Sequence, residues 1–159
     1  MQNIIEEMLP TLERLAEKKA LLDKQRPLPD FILQKIKEGL NVEWTYNSNS
    51  IEGNTLTLNE TKIILEEGMT IGGKSLREHF EITNHHEAIE YLEGLVKPKY
   101  VLTERDVLDI HAMVMSKIGK DFAGRIRNVP VRITGANFIP PSVAKVSDML
   151  AELIYFVNE

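Results

Sequence analysis

A serine and a glutamate one helical turn apart form the first candidate site in the sequence. Ser48 and Glu52 are four residues apart at the end of an amphipathic stretch, so both side chains would project from one face of a helix. Gly53 and Asn54 follow, and both residue types tolerate the left-handed conformation that ends helices. A carboxylate at this end opposes the helix dipole, which costs about 0.3–1 kcal/mol without a nearby cation. We predict a cationic partner for Glu52; the alternative is a solvated glutamate before a glycine cap.

The histidines give little support for a metal site. His79 and His86 are seven residues apart, whereas a helical zinc pair usually has a spacing of about four with a third ligand nearby. We therefore expect polar roles for them within a helical core. Cysteine is absent, which excludes disulfides, thiolate nucleophiles and cysteine-based zinc sites. The sequence also lacks G-x-S-x-G and G-x-G-x-x-G motifs, so nucleophilic and dinucleotide chemistry have no support.

Two arginines precede the one convincing β signal. Arg125 and Arg127 could hold a carboxylate or a phosphate, although ordinary salt bridges are the more common use of such residues. Residues 129–139 alternate apolar with other side chains around a turn, which predicts a β-hairpin. Pro130 makes this an edge or an isolated hairpin. An exposed edge can align an extended peptide, while the alternative is a lid over the core.

Helices are predicted to position all of these residues. Apolar residues at three-and-four spacing indicate helices over about 3–24, 30–52, 58–67, 75–95, 103–118 and 142–157, starting at Asp30, Thr57, Ser75, Thr103 and Ser142. Ser75 and Glu78 have the capping-box spacing. The helix that they begin has a broad apolar face, so we expect it to lie centrally. The predicted fold is all-α, a single helical domain with one short β-hairpin.

Composition excludes several classes of protein. The 159 residues have a formal net charge of −5, which provides no basic field for a nucleic-acid backbone. No apolar run approaches the length of a membrane span, and the N-terminus lacks the layout of a signal peptide. Hydrophobic residues make up 43% of the chain, which is ordinary for a globular domain. We therefore expect a soluble, cytoplasmic protein that binds neither nucleic acid nor membrane.

The order of these motifs resembles the Fic family of protein adenylyltransferases, in the subgroup whose inhibitory helix precedes the catalytic core. Ser48-Asn-Ser-Ile-Glu52-Gly53-Asn54 matches the inhibitory signature, which is Ser or Thr, three residues, Glu, then Gly or Asn. Residues 73–79 and 84–85 are similar to the family's next helix, and residues 123–141 are similar to the approach to its target-docking flap. The resemblance covers nearly the whole chain.

The resemblance implies transfer of AMP from ATP, with Mg²⁺, to a Ser, Thr or Tyr hydroxyl of a target protein. Ser48, Glu52, Gly53 and Asn54 would form the autoinhibitory segment near the nucleotide. Glu52 would pair with an arginine that otherwise binds the γ-phosphate of ATP. The flap that aligns the target would contain Val131, Arg132, Ile133, Thr134, Gly135 and Ile139.

One departure from the family is large. The catalytic loop of the family reads approximately H-P-F-x-x-G-N-G-R-x-x-R, and no such motif occurs in these 159 residues. We therefore expect a C-terminally incomplete fold: residues 1–57 end in the inhibitory helix, and residues 58–159 form the N-terminal part of the core, with the flap at about 125–141. This chain alone is expected to contain no catalytic residue and no metal ligand, and to bind neither ATP nor Mg²⁺ productively.

A chain of this kind would leave apolar surface bare. The apolar stripe on residues 143–157 would then be exposed, which favours self-association. Two alternatives to the adenylyltransferase remain open. The chain could act as a stand-alone helical regulatory module, or the parent protein could remove AMP from its target.

Overall fold

The part of the chain that the structure describes consists of α-helices joined by loops. The computed structural model describes the backbone of residues 2–159 and the side chains of residues 8–159. It contains α1 (Gln2–Asp23), α2 (Asp30–Ile51), α3 (Leu58–Glu67), α4 (Leu76–Leu95), α5 (Glu104–Val114) and α6 (Val143–Asn158). The chain divides into two compact units, one up to Gly39 and the other Leu40–Glu159. The all-α prediction is thus confirmed, and none of the described helices is long and apolar enough to cross a membrane.

Three of the helices begin with the capping boxes that their sequences encode. In each box the N-cap hydroxyl accepts the N–H of the third helical residue, and that residue's carboxylate accepts the cap's own N–H. The pairs are Thr57 and Glu60 in α3, Ser75 and Glu78 in α4, and Thr103 and Asp106 in α5. Asp30 is the first residue of α2 rather than its cap, and the Ser142 side chain makes no capping hydrogen bond to α6.

The core of the second unit is a small apolar cluster around α4. Leu56, Ile64 and Ile82 are buried together, with Leu65 and Ile71 packed against them. Helix α4 contacts α3 on one side and α5 on the other. Full burial of each such side chain stabilises the fold by about 1.5–3 kcal/mol. The prediction that α4 lies centrally is therefore confirmed.

A buried asparagine fixes α5 against α4. Asn84 is only 2% exposed, and its Nδ2 donates to the carbonyl of Val114 at 3.1 Å and to that of Ser116. The last carbonyls of a helix have no partner within the helix. The Asn84 amide supplies one from the neighbouring helix, so it sets the contact between α4 and the C-terminal end of α5.

Helix α6 is attached through one side chain near its end. Asn158 accepts the N–H of Leu102 at 2.9 Å and donates to the carbonyl of Leu102 at 2.8 Å. No residue of α6 is buried, and Phe156 is 74% exposed. The apolar stripe of α6 is therefore only partly covered, at the half-buried Val143, Val146, Leu150 and Ile154.

The predicted β-hairpin is wrong. Residues 129–141 form an irregular loop, and no strand occurs anywhere in residues 2–159. The segment contains Pro130, Pro140 and Pro141, which cannot donate backbone hydrogen bonds. An isolated two-stranded hairpin is also marginal in water without a third strand or a packed face. Alternation alone therefore does not make a hairpin here.

We expect Asn84→Ala to lower the free energy of unfolding by about 1–3 kcal/mol, because the partly buried carbonyls of Val114 and Ser116 lose their donor. Urea denaturation followed by circular dichroism measures this change. Asn47→Ala is the matched control, since the Asn47 amide donates at 2.8 Å to the Glu43 carbonyl on an exposed face of α2. This control variant should lower the free energy of unfolding by less than about 0.5 kcal/mol. Equal losses in the two variants would contradict the role given to Asn84.

Candidate functional site

Helix α2 ends in a Schellman motif immediately after Glu52. The N–H of Asn54 donates to the Asn49 carbonyl at 3.0 Å, and the N–H of Gly53 donates to the Ser50 carbonyl at 3.1 Å. Gly53 has φ 93°, a conformation that costs glycine little because it has no Cβ. The glycine therefore ends the helix as the sequence predicts, and Glu52 occupies the last position before the turn.

Glu52 lies exposed at this helix end, without a partner among the described side chains. Its carboxylate makes no hydrogen bond or ion pair with any side chain among residues 8–159. Ser48 is half-buried one turn earlier, and no hydrogen bond joins it to Glu52 in that part of the chain. The predicted cation is thus not among the described residues. The carboxylate is available to a positively charged group that approaches the end of α2.

Asn54 attaches the end of α2 to α4. Its buried side chain accepts the N–H of Leu56 at 3.0 Å and donates at 3.1 Å to the Glu78 carbonyl. The same amide donates at 3.0 Å to the Glu81 carboxylate. A buried amide with these partners has little freedom, because any other orientation leaves polar groups unpaired. The residue two positions after Glu52 is therefore fixed to the neighbouring helix.

The Glu78 carboxylate joins two segments of chain that are distant in sequence. It accepts the N–H and hydroxyl of Thr55 at 3.1 and 2.6 Å, and the N–H and hydroxyl of Ser75 at 2.9 and 2.9 Å. These bonds, those from Thr55 first, hold the pKa of Glu78 at about 2, below its usual 4.5. The sequence predicts only the bonds to Ser75. No feature of the sequence predicts the bonds to Thr55.

Lys74 also binds Thr55. Its Nζ donates to the Thr55 carbonyl at 2.6 Å and lies 3.0 Å from the Thr55 hydroxyl. It also lies 3.9 Å from the Glu60 carboxylate at the start of α3. The backbone that follows Glu52 is thus held from α3, from α4 and from the turn between them.

His79 has a structural role in the same region. Its Nε2 accepts the N–H of Ile71 at 2.9 Å, so its Nδ1 carries the proton and donates to the Ser75 carbonyl at 2.7 Å. The ring therefore ties the loop before α4 to the first turn of that helix. This arrangement agrees with the polar core role predicted from the sequence.

His85 lies where α4 meets the last turns of α2. Its ring packs edge-on against Trp44, with centroids 6.4 Å apart, and its Nδ1 lies 3.4 Å from the Thr45 hydroxyl. Burial lowers the pKa of His85 below its usual 6.5, and the adjacent His86 lowers it further. His85 is therefore neutral at physiological pH, which suits an aromatic contact.

The described residues do not fit a metal site. Among residues 8–159 no group of three or more His, Asp or Glu side chains could share a cation. His79 uses both ring nitrogens for backbone contacts, and His86 lies 3.6 Å from Glu90 through its Nε2. No step involving a metal ion is therefore assigned to these side chains.

The segment predicted as the flap is a loop whose ends are joined by Arg127. The Arg127 guanidinium donates at 3.0 Å to the Val129 carbonyl and also to the Pro141 carbonyl. At the tip, the N–H of Ala136 donates to the Ile133 carbonyl at 3.1 Å, and Gly135 has φ 80°, as in a type II turn. The six predicted flap residues, Val131, Arg132, Ile133, Thr134, Gly135 and Ile139, are all exposed in this loop.

The two predicted sites share no polar contact among the described side chains. No hydrogen bond or ion pair between described side chains joins residues 48–54 to residues 129–141. Arg127 donates to carbonyls of the loop itself. It therefore forms neither the anion site nor the salt bridge considered from the sequence. Its contact with a residue fourteen positions later could not be read from spacing.

Comparison with known proteins places this geometry in a family. Protein adenylyltransferase Fic of Culex quinquefasciatus is 32% identical over 147 residues, covering 92% of this chain and 29% of the relative. Protein adenylyltransferase fic-1 of Caenorhabditis briggsae is 35% identical over 118 residues, covering 73% of this chain and 23% of the relative. A solved fragment of Fic-1 from Caenorhabditis elegans is 29% identical with a TM-score of 0.76, covering 99% of this chain and 45% of that one. The chain belongs to the Fic family.

Other comparisons define what this assignment covers. A Fic domain containing signaling protein from Bacteroides thetaiotaomicron is 26% identical with a TM-score of 0.77, covering 86% of this chain and 52% of that one. No family model matches the sequence. The chain spans about a quarter of the length of the curated Fic relatives cited above, at 29% and 23%. Fic membership therefore rests on the arrangement of helices and on sequence identity.

We expect Glu78→Gln to reduce the dependence of stability on pH in acid. The folded-state pKa of about 2 lies below the usual 4.5, so the contribution of Glu78 is complete above about pH 4.5 and is lost as the pH falls towards 2. In the variant, the unfolding midpoint in urea should fall less steeply across this range. Glu67→Gln, at the exposed end of α3, is the control and should keep the parent slope. A parent-like slope in Glu78→Gln would contradict the role of this carboxylate.

We expect Arg127→Ala to loosen the loop at 129–141. Loss of hydrogen bonds from a charged donor, about 1.5 kcal/mol, should raise the population of opened loop about tenfold. Limited digestion with trypsin, which cleaves after the exposed Arg132, measures opening when cleavage is slow. Arg125→Ala removes a neighbouring exposed arginine and serves as the control. Unchanged cleavage after Arg132 in Arg127→Ala would show that other contacts hold the loop.

Proposed function

We propose that residues 40–159 are the regulatory and target-docking portion of a Fic protein adenylyltransferase. In this proposal, Glu52 inhibits AMP transfer by pairing with an arginine of the catalytic portion that otherwise binds the γ-phosphate of ATP. The single observation that carries the proposal is an exposed carboxylate, unpartnered among residues 8–159, at the end of a helix whose next residues are fixed. The names of the Fic relatives support the reaction class.

The physical basis of inhibition is the placement of a charge. A carboxylate that pairs with a guanidinium forms short, charge-assisted and often bidentate hydrogen bonds. The free energy gained by this pairing is largest when the carboxylate is already in position, because less conformational entropy is then lost. Asn54 and Thr55 hold the backbone beside Glu52 through α4, which provides this positioning. The helix dipole also favours a cation at this end.

The loop at 129–141 is proposed to dock the target protein. Its apolar side chains Val131, Ile133 and Ile139 are exposed, and only the turn at its tip has a backbone hydrogen bond within it. An extended segment of a target could pair with this unpaired backbone and thereby present its hydroxyl, largely regardless of sequence. Such pairing would supply the second strand that the loop lacks alone.

ATP and Mg²⁺ enter the proposal as ligands of the complete active site. The described residues do not fit a magnesium site. The sequence contains no H-P-F-x-x-G-N-G-R motif. The proposed role of these residues is therefore limited to Glu52, which controls how ATP is held, and the loop, which positions the target.

The test joins residues 1–159 to the catalytic remainder of Fic-1 from Caenorhabditis elegans, replacing the matching part of that protein. We expect Glu52→Gly to raise incorporation of label from α-labelled ATP into protein by about tenfold or more, equivalent to losing one ion pair of about 1.4 kcal/mol. Glu43→Gly, at an exposed position of the same helix, is the matched control for the loss of a helical glutamate.

Two readouts separate the possible outcomes. Filter binding of labelled ATP to the fusion and its variants shows whether the nucleotide site is intact. Equal labelling with Glu or Gly at position 52, in a fusion that binds ATP, would exclude the inhibitory role. A rise in the Glu43→Gly control as large as that in Glu52→Gly would assign the effect to helix destabilisation instead.

A further inference from the structure

The segment that contains the loop at 129–141 carries a positive charge that the rest of the chain does not share. Residues 122–147 contain three arginines, one lysine and no aspartate or glutamate, whereas the whole chain has a formal net charge of −5. A run of like charge that is not neutralised locally gives the surface a positive potential, which selects partners of the opposite charge. The loop is therefore a positive surface on an acidic protein.

The charge at the tip of the loop belongs to Arg132. This residue is exposed and immediately precedes the turn in which the Ala136 N–H donates to the Ile133 carbonyl. Its guanidinium makes no hydrogen bond or ion pair with any group of residues 8–159. Arg127, in contrast, donates to two carbonyls of the loop. The five N–H donors of Arg132 are thus available to a ligand of the loop.

A hollow of about 320 Å³ lies beside this guanidinium. Its walls include Ile133, Phe138 and Ile139, and Arg132 is the one charged residue among its described lining side chains. Sites for extended peptides take their affinity from main-chain hydrogen bonds and their specificity from pockets for alternate side chains. The hollow suits an apolar side chain that has an acidic one close to it.

We propose that the loop at 129–141 selects target proteins whose extended docking segment is acidic, with an Asp or Glu side chain paired to Arg132. This inference rests on the docking role proposed above for the same loop, and it names the class of target. Main-chain pairing alone accepts any extended segment. The ion pair adds a preference, and a basic segment meets only repulsion, because residues 122–147 contain no acidic side chain. A guanidinium can also hold a carboxylate through two parallel hydrogen bonds, which fixes the register of the segment.

An anionic membrane is the other partner that positive charge beside apolar side chains could bind. Segments that bind such membranes commonly cluster about 4–8 lysines and arginines, whereas the loop itself contains only Arg132. Only the turn at the tip has a backbone hydrogen bond within the loop. Lipid would leave the other backbone groups without partners. An extended peptide supplies those partners, so the observations favour a protein target.

NMR titration of the isotope-labelled 159-residue chain tests the charge preference, because amide shifts detect weak binding and assign it to residues. The probes are three ten-residue peptides of valine, threonine and serine that carry two glutamates, two glutamines or two lysines at the same positions. We expect the glutamate peptide to shift the amide signals of residues 131–139, with a dissociation constant about fivefold lower than that of the glutamine peptide. The lysine peptide should bind more weakly than either. In about 0.5 M NaCl the difference should fall below about twofold, because salt screens exposed charges.

Variants of the loop assign the preference to one side chain. Arg132→Gln should abolish the difference between the glutamate and glutamine peptides and leave binding of the glutamine peptide within about twofold. Arg132→Lys keeps the charge and should retain at least about a twofold difference. Lys145→Gln is the matched control, since Lys145 is exposed outside the loop and makes no ion pair with a described side chain. An equal loss of preference in Lys145→Gln would assign it to overall charge and overturn the pairing with Arg132.

The remaining outcomes overturn the proposal in distinguishable ways. Equal binding of all three peptides at residues 131–139 would refute the acidic preference but leave the docking role of the loop standing. No shift of these signals with any peptide would refute the docking role itself. Vesicles of phosphatidylcholine and phosphatidylserine are the fourth probe. If the parent chain sediments with them, Arg132→Gln does not, and no peptide binds, the loop recognises a membrane surface instead. The test of Glu52 in the fusion protein does not depend on any of these results.

Discussion

The carboxylate of Glu78 is the contact on which the second unit depends most. It accepts four hydrogen bonds, two from Ser75 at the start of its own helix and two from Thr55 in the segment that follows α2. This carboxylate thereby caps α4 and attaches the segment after α2 to it. The Asn54 amide adds a second attachment through the Glu78 carbonyl. Hydrogen bonds to a charged acceptor are stronger than neutral ones, which suits a junction exposed to water.

This junction gives Glu52 a fixed backbone and a free side chain. Glu52 stands before Gly53, and the residues that follow are held by Asn54 and Thr55. The inhibitory role proposed for Glu52 requires a charge positioned to within about 0.5 Å, which depends on support from surrounding residues. The stabilising bonds therefore lie next to Glu52, while its carboxylate keeps no partner among the described side chains.

Sequence reasoning succeeded where the physics is local. Spacing predicts the capping box at Ser75, the helix starts at Thr57 and Thr103, and the glycine stop after Glu52, because each depends on residues within four positions. The capping boxes at Thr57 and Thr103 were not predicted. It failed for contacts across the fold. The Thr55 bonds to Glu78 span 23 positions and depend on how helices pack. The hairpin was wrong because alternation indicates compatibility with a strand, whereas a strand also requires a neighbour.

The loop form of residues 129–141 bears on how such a segment can work. A stable exposed hairpin would present an unpaired edge at all times, and such edges promote aggregation. Here Arg127 holds the two ends together, while prolines at 130, 140 and 141 prevent regular pairing within the loop. The hydrogen bonds of Arg127 thus offset the entropic cost of closing the loop. The backbone groups of the loop itself remain unpaired. An incoming extended segment would therefore gain most of its main-chain hydrogen bonds without first breaking any, which favours recognition by backbone rather than by side chain.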